Sequence, residues 1–340
     1  MLVVIPCLNE ERTIAAVLDQ LLKDEAVERM LICVSDGGSS DMTRSIVRHY
    51  VDRLPGQVAL IDNRKRIQSA AVNLAARTFG EGKRWLVRVD AHAVYPENYV
   101  SRLVAAAERQ GADSVVVPMY TSGQGAMQSA IAAALNSRFG TGGSAHRHPG
   151  RSLWVDHGHH ALFRMDRFCE VGGYDETFSH NEDAEFDIRL TRSGGRVWLQ
   201  GDLPITYFPR RTLGALFRQY YAYGRGRART VMRHHTPMKA RQKAPFLVPF
   251  ALAIALVSPF EPLLAVPAAI WVAACLGAGL SLALRQGRLR LALSGAAFMV
   301  LHLSWGLGFL AQALGAPRHE ALPEPIMLSS SGALQAARAG

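Results

Sequence analysis

Met30-Leu-Ile-Cys-Val-Ser35, followed at once by Asp36-Gly-Gly-Ser-Ser-Asp41, decides how the chain folds. A short apolar run that ends in an acid and a Gly-Ser turn reads as a buried strand with polar side chains at its C-terminal end. Leu2-Val-Val-Ile5, Val58-Ala-Leu-Ile61, Trp85-Leu-Val-Arg-Val89 and Ser114-Val-Val-Val-Pro118 have the same character. Between these runs lie stretches of helical periodicity, Thr13 to Lys23, Thr43 to Tyr50, Ser69 to Phe79 and Asn98 to Arg109. Strand alternating with helix predicts an α/β domain with a mostly parallel sheet covered on both faces. In such sheets ligands bind beyond the C-terminal ends of the strands.

Three of those ends carry acids. The first strand runs into Pro6-Cys-Leu-Asn-Glu10, the second into Asp36 to Asp41, and the fourth into Asp90-Ala-His92. No G-x-G-x-x-G follows the first strand and no G-x-x-x-x-G-K-[ST] occurs, so a dinucleotide oxidoreductase and a P-loop NTPase lack their main signatures. A nucleotide held through carboxylates and a metal remains. Asp90 and His92 can both reach one divalent ion, which would neutralise a diphosphate. The imidazole favours Mn²⁺ over Mg²⁺. Taken alone, the pair also fits a turn-capping Asp beside an incidental His. Further on, Asn181-Glu-Asp183 opens an amphipathic run to Arg192. Two acids at a helix start suit the helix dipole by themselves, and beside a metal site a carboxylate can also take a proton from an attacking hydroxyl.

The chain has 340 residues, room for two domains, and its 49% hydrophobic and 19% charged content excludes a disordered or collagen-like protein. Cys7, Cys33, Cys169 and Cys275 show no zinc spacing and read as reduced cysteines of a cytosol-facing protein. From Pro204 to Lys243 there are ten Lys and Arg and no acid, equal to the whole formal net charge of +10. Three apolar runs follow, Phe246 to Phe260, Leu263 to Leu284 and Leu291 to Gly315. The second run is about 33 Å long as a helix and the third is longer, so both can cross a bilayer. Pro249, Pro259 and Pro262 break up the first, which suits a re-entrant or tilted segment. A basic stretch in that position favours anionic lipid or a phosphorylated lipid over nucleic acid. By the positive-inside rule it faces the cytoplasm together with the loop Arg285 to Arg290. The first two runs then form a hairpin turning outward near Glu261, and the tail from Ala316 lies outside. The alternative, three core helices of a soluble domain, conflicts with the lack of a polar face.

Pro6-Cys-Leu-Asn-Glu10, Asp36-Gly-Gly-Ser-Ser-Asp41, Asp90-Ala-His92 and Glu182-Asp183 with Arg189-Leu190, in this order, resemble the family-2 inverting glycosyltransferases of the GT-A fold. Arg218-Gln-Tyr-Tyr-Ala-Tyr-Gly-Arg-Gly-Arg-Ala-Arg229 ahead of a membrane segment is similar to their succinoglycan glucosyltransferase branch. The resemblance covers roughly residues 1 to 315. It implies a GT-A (Rossmann-like) domain over residues 1–210, a basic interfacial helix over 211–243, about three membrane segments over 244–316 and a tail over 317–340.

For the site, the resemblance implies a UDP-sugar contacted by Pro6, Asn9, Glu10, Asp36 and Asp90, and a metal on Asp90 and His92. Arg66 and Asn73 would contact the nucleotide or order the metal motif. Asp183, beside Glu182, stands at the position of the catalytic base, which deprotonates an acceptor hydroxyl as it attacks the anomeric carbon in line. Asp156 and His157, in the His-rich stretch from Gly140 to His160 that also holds His146 and His148, are candidates for acceptor or diphosphate contact, as are Gln219 and Arg225. The Gln-x-x-Arg-Trp of processive members is missing, since five residues separate Gln219 from Arg225 and no Trp follows, which argues against a polymerising synthase. Tyr207-Phe-Pro-Arg210 stands where some relatives place a metal-binding His.

The implied activity is transfer of one sugar, glucose by resemblance, to a polyprenyl-linked saccharide at the cytoplasmic face of the inner membrane. Partners would be membrane lipid and other polysaccharide assembly proteins, with no nucleic acid. A polyprenyl-phosphate glycosyltransferase and a non-catalytic membrane scaffold are the alternatives. Intact Asp90, His92 and Asp183 argue against the scaffold.

Overall fold

The computed structural model describes residues 1–144, 147, 149–315 and 321–328, and they form two compact units. One comprises Met1–Met119, Pro149–Thr206 and Ala321–Gly340, the other Tyr120–His148 and Tyr207–Glu320.

The first unit is built on an eight-stranded sheet. Across it run Val58–Asp62, Leu31–Asp36, Leu2–Cys7, Trp85–Arg88, His159–Arg164, Ser114–Val117, Val197–Leu199 and Leu153–Val155. The first four pair in parallel, as the strand and helix alternation predicts. His159–Arg164 is inserted antiparallel to both of its neighbours. Helices Ile14–Leu21, Thr43–Arg53, Gln68–Phe79 and Tyr99–Gln110 fill the predicted intervals. Leu2 to Ile5 and Ile32 to Val34 are fully buried, which is why these strands read as unbroken apolar runs rather than alternating ones. Phe163, Phe168, Tyr174 and Phe186 pack ring against ring with centroids 5.1 to 5.8 Å apart. That cluster seats helix Glu182–Arg192 against the sheet, close to the end of Trp85–Arg88.

The second unit contains helices Gly125–Asn136, Leu213–His234, Ala240–Ala255, Val266–Arg285 and Ser294–Gly315. Ile131, Ala134, Leu135, Leu216, Cys275, Ala297, Phe298 and Leu301 form its buried core. Helices Leu213–His234 and Ser294–Gly315 meet backbone to backbone, because a Cβ on Gly224 would lie 2.1 Å from the Trp305 carbonyl oxygen and one on Gly308 2.0 Å from that of Tyr221. Among the described residues, Pro262–Arg285 and Leu289–Gly315 are each long and apolar enough to cross a membrane. Ala240–Ala255, with Pro245 and Pro249 inside it, is shorter, so two of the three expected segments reach spanning length.

The division of the chain differs from a boundary at residue 210. Residues 120–148 sit with the C-terminal helices, because Ile131 and Leu135 pack on Leu216 and Phe298. Residues 321–328 return to the first unit, where the Ile326 N–H donates to the Cys169 carbonyl at 2.9 Å and the Ile326 side chain is buried. His146, His148, 316–320 and 329–340 lie outside the described residues.

Candidate active site

Trp85–Arg88 pairs with His159–Arg164 in the register Trp85 with Arg164, Leu86 with Phe163 and Val87 with Leu162. Continued past the strand end, that register sets Asp90 opposite His159, and His159 Nε2 stands 3.5 Å from Asp90 Oδ2. Asp90 Oδ1 accepts from Gln68 Nε2 at 3.0 Å and lies 3.7 Å from Arg88 Nε. The Arg88 side chain is buried, and its other end grips the acid at the head of helix Glu182–Arg192. Arg88 Nη1 donates to Asp183 Oδ1 at 2.6 Å and to the Tyr174 hydroxyl at 3.0 Å, and Nη2 reaches Asp183 Oδ2 at 3.4 Å. The Tyr174 hydroxyl in turn donates to Asp183 Oδ1 at 3.0 Å. One buried guanidinium thus joins the two carboxylates. Burial by itself raises the pKa of Asp90, but the charges of Arg88, His159 and His92 outweigh it and hold the group below its usual range, so Asp90 is ionised.

Tyr174 is fixed from behind. Asn73 Oδ1 accepts from the Tyr174 N–H at 2.9 Å, while its Nδ2 donates to the Tyr174 carbonyl at 2.7 Å and to Glu176 Oε1 at 3.0 Å. Asn73 is therefore buried, and both ends of its amide are engaged in clamping Tyr174. Gly173, with φ +64°, allows the approach, because a Cβ there would lie 2.4 Å from Asn73 Oδ1.

His92 is exposed, and its Nδ1 lies 2.9 Å from Glu10 Oε1. The other Glu10 oxygen accepts from Thr13 Oγ1 at 2.9 Å, so Glu10 holds His92 in place. A metal-ligating histidine characteristically gives its second ring N–H to a carboxylate, which fixes the tautomer and leaves a lone pair for the ion. A proton on Nδ1 toward Glu10 would put that lone pair on Nε2 of His92. Ionised Asp90 and oriented His92 thus fit two ligands of a divalent cation. Among the described residues, no group of three or more His, Cys, Asp and Glu is placed to hold one.

Asp36, expected to contact the nucleotide, stands at the end of the second strand. It is fully buried, its Oδ2 accepts from the N–H groups of Gly38 and Ser39 at 3.0 and 3.1 Å and from Arg44 Nη1 at 2.7 Å, and its Oδ1 accepts from the Ser39 hydroxyl. The carboxylate shapes its own turn. Burial raises its pKa, but the bonds from Ser39, Arg44 and Gly38 outweigh that and hold it below the ordinary value. A depressed folded-state pKa means that the stability contributed is complete above the unfolded value of about 3.9 and is lost as pH falls through the folded one. Asp36→Asn is accordingly expected to cost about 1–3 kcal/mol at neutral pH and to make the loss of stability below about pH 4 shallower than in the parent. Acid unfolding followed by circular dichroism checks this, and parallel curves would count against it.

Asn9, at φ 57°, laces the first two strand ends together: its N–H donates to Ser39 Oγ and its Oδ1 accepts from the Ser40 N–H, both at 2.8 Å. Pro6 lies within the first strand and is half-buried. Arg66, at φ 59°, is exposed, and a Cβ on Gly37 would lie 3.5 Å from its Cα. Glu182 is buried beside Asp183. Asp156 is exposed, and His157 Nδ1 lies 3.6 Å from Asp187 Oδ2. Strand His159–Arg164 begins two residues after His157, and its register brings His159 to Asp90. Gln219 and Arg225 belong to the second unit, where Gln219 Nε2 donates to the hydroxyls of Tyr207 and Tyr223 at 3.1 Å and Arg225 Nε to Gln312 Oε1 at 3.2 Å. Arg88, Tyr174 and Gln68 were not among the residues singled out from the sequence, and His159 entered only as part of the His-rich stretch. Arg88 did leave a signal, a cation inside the apolar run Trp85 to Val89, where burial demands an acidic partner.

Residues 2–171 match the family described as glycosyl transferase family 2. The succinoglycan biosynthesis protein ExoA of Rhizobium meliloti (strain 1021) is 46% identical over 314 residues, 92% of this chain and 94% of that protein. Among solved structures, the mannosyltransferase PcManGT from Pyrobaculum calidifontis, in complex with GDP-Man and Mn²⁺, aligns over 88% of this chain and 85% of its own with a TM-score of 0.59 at 18% identity, a likeness of fold. On the match over its first half and the identity along most of its length, the chain belongs to glycosyltransferase family 2, and its catalytic domain has the GT-A fold.

Proposed function

We propose that the chain is a membrane-associated, metal-dependent, inverting glycosyltransferase. It moves a single sugar, glucose by resemblance, from a UDP-sugar to a lipid-linked saccharide during exopolysaccharide assembly, at the cytoplasmic face of the inner membrane. The observation that carries the reading is the pair of carboxylates, Asp90 and Asp183, held on either side of Arg88, with His92 oriented by Glu10. The name of the relative, a succinoglycan biosynthesis protein, supports the pathway class. The fold neighbour, a mannosyltransferase complexed with GDP-Man and Mn²⁺, supports a nucleotide-sugar donor and a divalent metal.

Asp90 and His92 would hold the metal, which when bound neutralises the departing diphosphate. The remaining work falls to the chain. Asp183 accepts the proton of the acceptor hydroxyl at a carboxylate oxygen as the oxygen attacks the anomeric carbon and the bond to UDP breaks. Arg88 and Tyr174 keep that carboxylate in one orientation. A single displacement needs one base, so the two-carboxylate spacing of glycosidases is not required. The leaving group is already activated, so positioning and charge stabilisation supply most of the rate.

Isolated membranes supplied with a panel of labelled UDP-sugars test the reading. One sugar is expected to enter a lipid-extractable product from one donor. Chelation is expected to abolish transfer and added Mn²⁺ or Mg²⁺ to restore it. Transfer that persists in chelator would overturn the metal dependence, and no transfer from any UDP-sugar would overturn the donor.

A further inference from the structure

Residues 321–328 bear on how the chain meets the bilayer. They are built into the first unit, and Gly172 and Gly173 leave room for them: a Cβ on Gly172 would lie 2.6 Å from the Glu324 carbonyl oxygen, and one on Gly173 2.6 Å from Ile326 Cδ1. With the Ile326 N–H bonded to the Cys169 carbonyl, this strap occupies the same aqueous compartment as Asp90 and Asp183. From Gly315 to Ala321 the backbone can reach at most about 22 Å, less than the hydrocarbon core of ~30 Å. Helix Ser294–Gly315 therefore ends on the catalytic side, and the chain between the basic stretch and the strap crosses the membrane an even number of times.

With Ala240–Ala255, at 16 residues and about 24 Å of helix, too short to cross ~30 Å, two arrangements satisfy that condition. In one, Pro262–Arg285 and Leu289–Gly315 both cross, which puts Arg285, Arg288 and Arg290 on the side opposite the cations of Arg210 to Lys243. In the other, Ala240–Arg285 dips into the bilayer and returns, and nothing after it crosses. Charge favours the second, because both groups of cations then lie against the same anionic leaflet. Packing favours it too. The apolar window of Leu289–Gly315 is 56% buried within the chain, against 17% for Pro262–Arg285. Ala297, Phe298 and Leu301 are core residues, shared with Ile131, Leu135 and Leu216. The turn after Ala240–Ala255 exposes Leu256, Phe260 and Leu263 together, an apolar tip suited to lipid rather than water.

We propose that Ala240–Arg285 is a re-entrant anchor whose apolar tip lies in the bilayer, that Ser294–Gly315 is a core helix that does not cross, and that the catalytic unit and the strap face one compartment. The inference rests on the membrane association proposed above.

Single cysteines placed in the full-length chain at exposed Gln286 and Leu263 test it, with a membrane-impermeant maleimide applied to spheroplasts and to inverted vesicles. Gln286→Cys is expected to label only in inverted vesicles and Leu263→Cys in neither. Alkaline phosphatase fused after Gly340 is expected to be inactive, and a fluorescent protein fused there to fluoresce. Labelling of Gln286→Cys in spheroplasts would establish the two-span hairpin instead, and an active phosphatase fusion would establish an odd number of crossings. Release of the unmodified chain by alkaline carbonate would instead remove the membrane association itself, and with it the anchor.

Discussion

Asp183→Asn is expected to lower sugar transfer about 10²- to 10⁴-fold, the range associated with losing a positioned general base, while donor binding stays within a few-fold. The amide keeps an oxygen for Arg88 Nη1 and the Tyr174 hydroxyl, whereas Nη2, which reaches Oδ2 in the parent, loses its acceptor. What disappears is the charge and the ability to take the acceptor proton. The discriminating measurement pairs single-turnover transfer with calorimetric titration of UDP-sugar, each on a variant whose melting temperature is checked. A loss in rate without a loss in donor affinity fits the base. Transfer that survives in Asp183→Asn would mean that the acceptor arrives already ionised, as a lipid phosphate does, and would favour the polyprenyl-phosphate reading.

The second large effect is on stability. Arg88→Met is expected to destabilise the first unit by about 3–5 kcal/mol at neutral pH, because removing one partner leaves buried acids without their cation. Asp90 and Asp183 both lose it, and the Tyr174 hydroxyl loses a donor. The pH dependence gives a second readout with a defined sign. In the parent, Arg88 helps to hold the Asp90 pKa below its usual value, so the associated stability is present above about pH 3.9 and is lost as pH falls through the folded value. In the Met variant burial acts with less opposition and raises the carboxyl pKa, so protonation relieves part of the penalty. The gap between parent and variant should therefore narrow on going from neutral to acidic pH, measured by chemical denaturation in detergent. Arg88→Lys is expected to recover only part of the loss, because a single ammonium cannot reproduce the fork that reaches Asp183 with Nη1 and Nη2 and Asp90 with Nε. A Met variant within 1 kcal/mol of the parent at neutral pH would show that the guanidinium does not balance these acids.

Much of the fold and part of the site are legible in the sequence because they depend on neighbours along the chain. A buried parallel strand needs a continuous apolar run, and a helix needs its period, so Leu2–Cys7 through Gln68–Phe79 can be read directly. Asp90, His92 and Glu10 can be picked out because polar groups at strand ends face the ligand side of such sheets. An acid at a strand end looks the same in sequence whether or not it also satisfies the N–H groups of its own turn, as Asp36 does. Asn73, given by the resemblance and not by this rule, lies within helix Gln68–Phe79, where its amide holds Tyr174.

By itself, the sequence determined the α/β class, the order of the acidic strand ends, the basic stretch ahead of the apolar helices and the family, all carried by local pattern and ordered motifs. Only the tertiary structure decided what surrounds Asp183. Its partners Arg88 and Tyr174, and His159 beside Asp90, come together through contacts spanning 95, 86 and 71 residues of sequence. They depend on an antiparallel strand inserted beside Trp85–Arg88, and a register between strands distant in sequence leaves no periodic trace in either one. The strap at 321–328 is of the same kind. Nothing in its composition points to Gly172 and Gly173, because its site exists only where two glycines without Cβ atoms leave space on a folded surface.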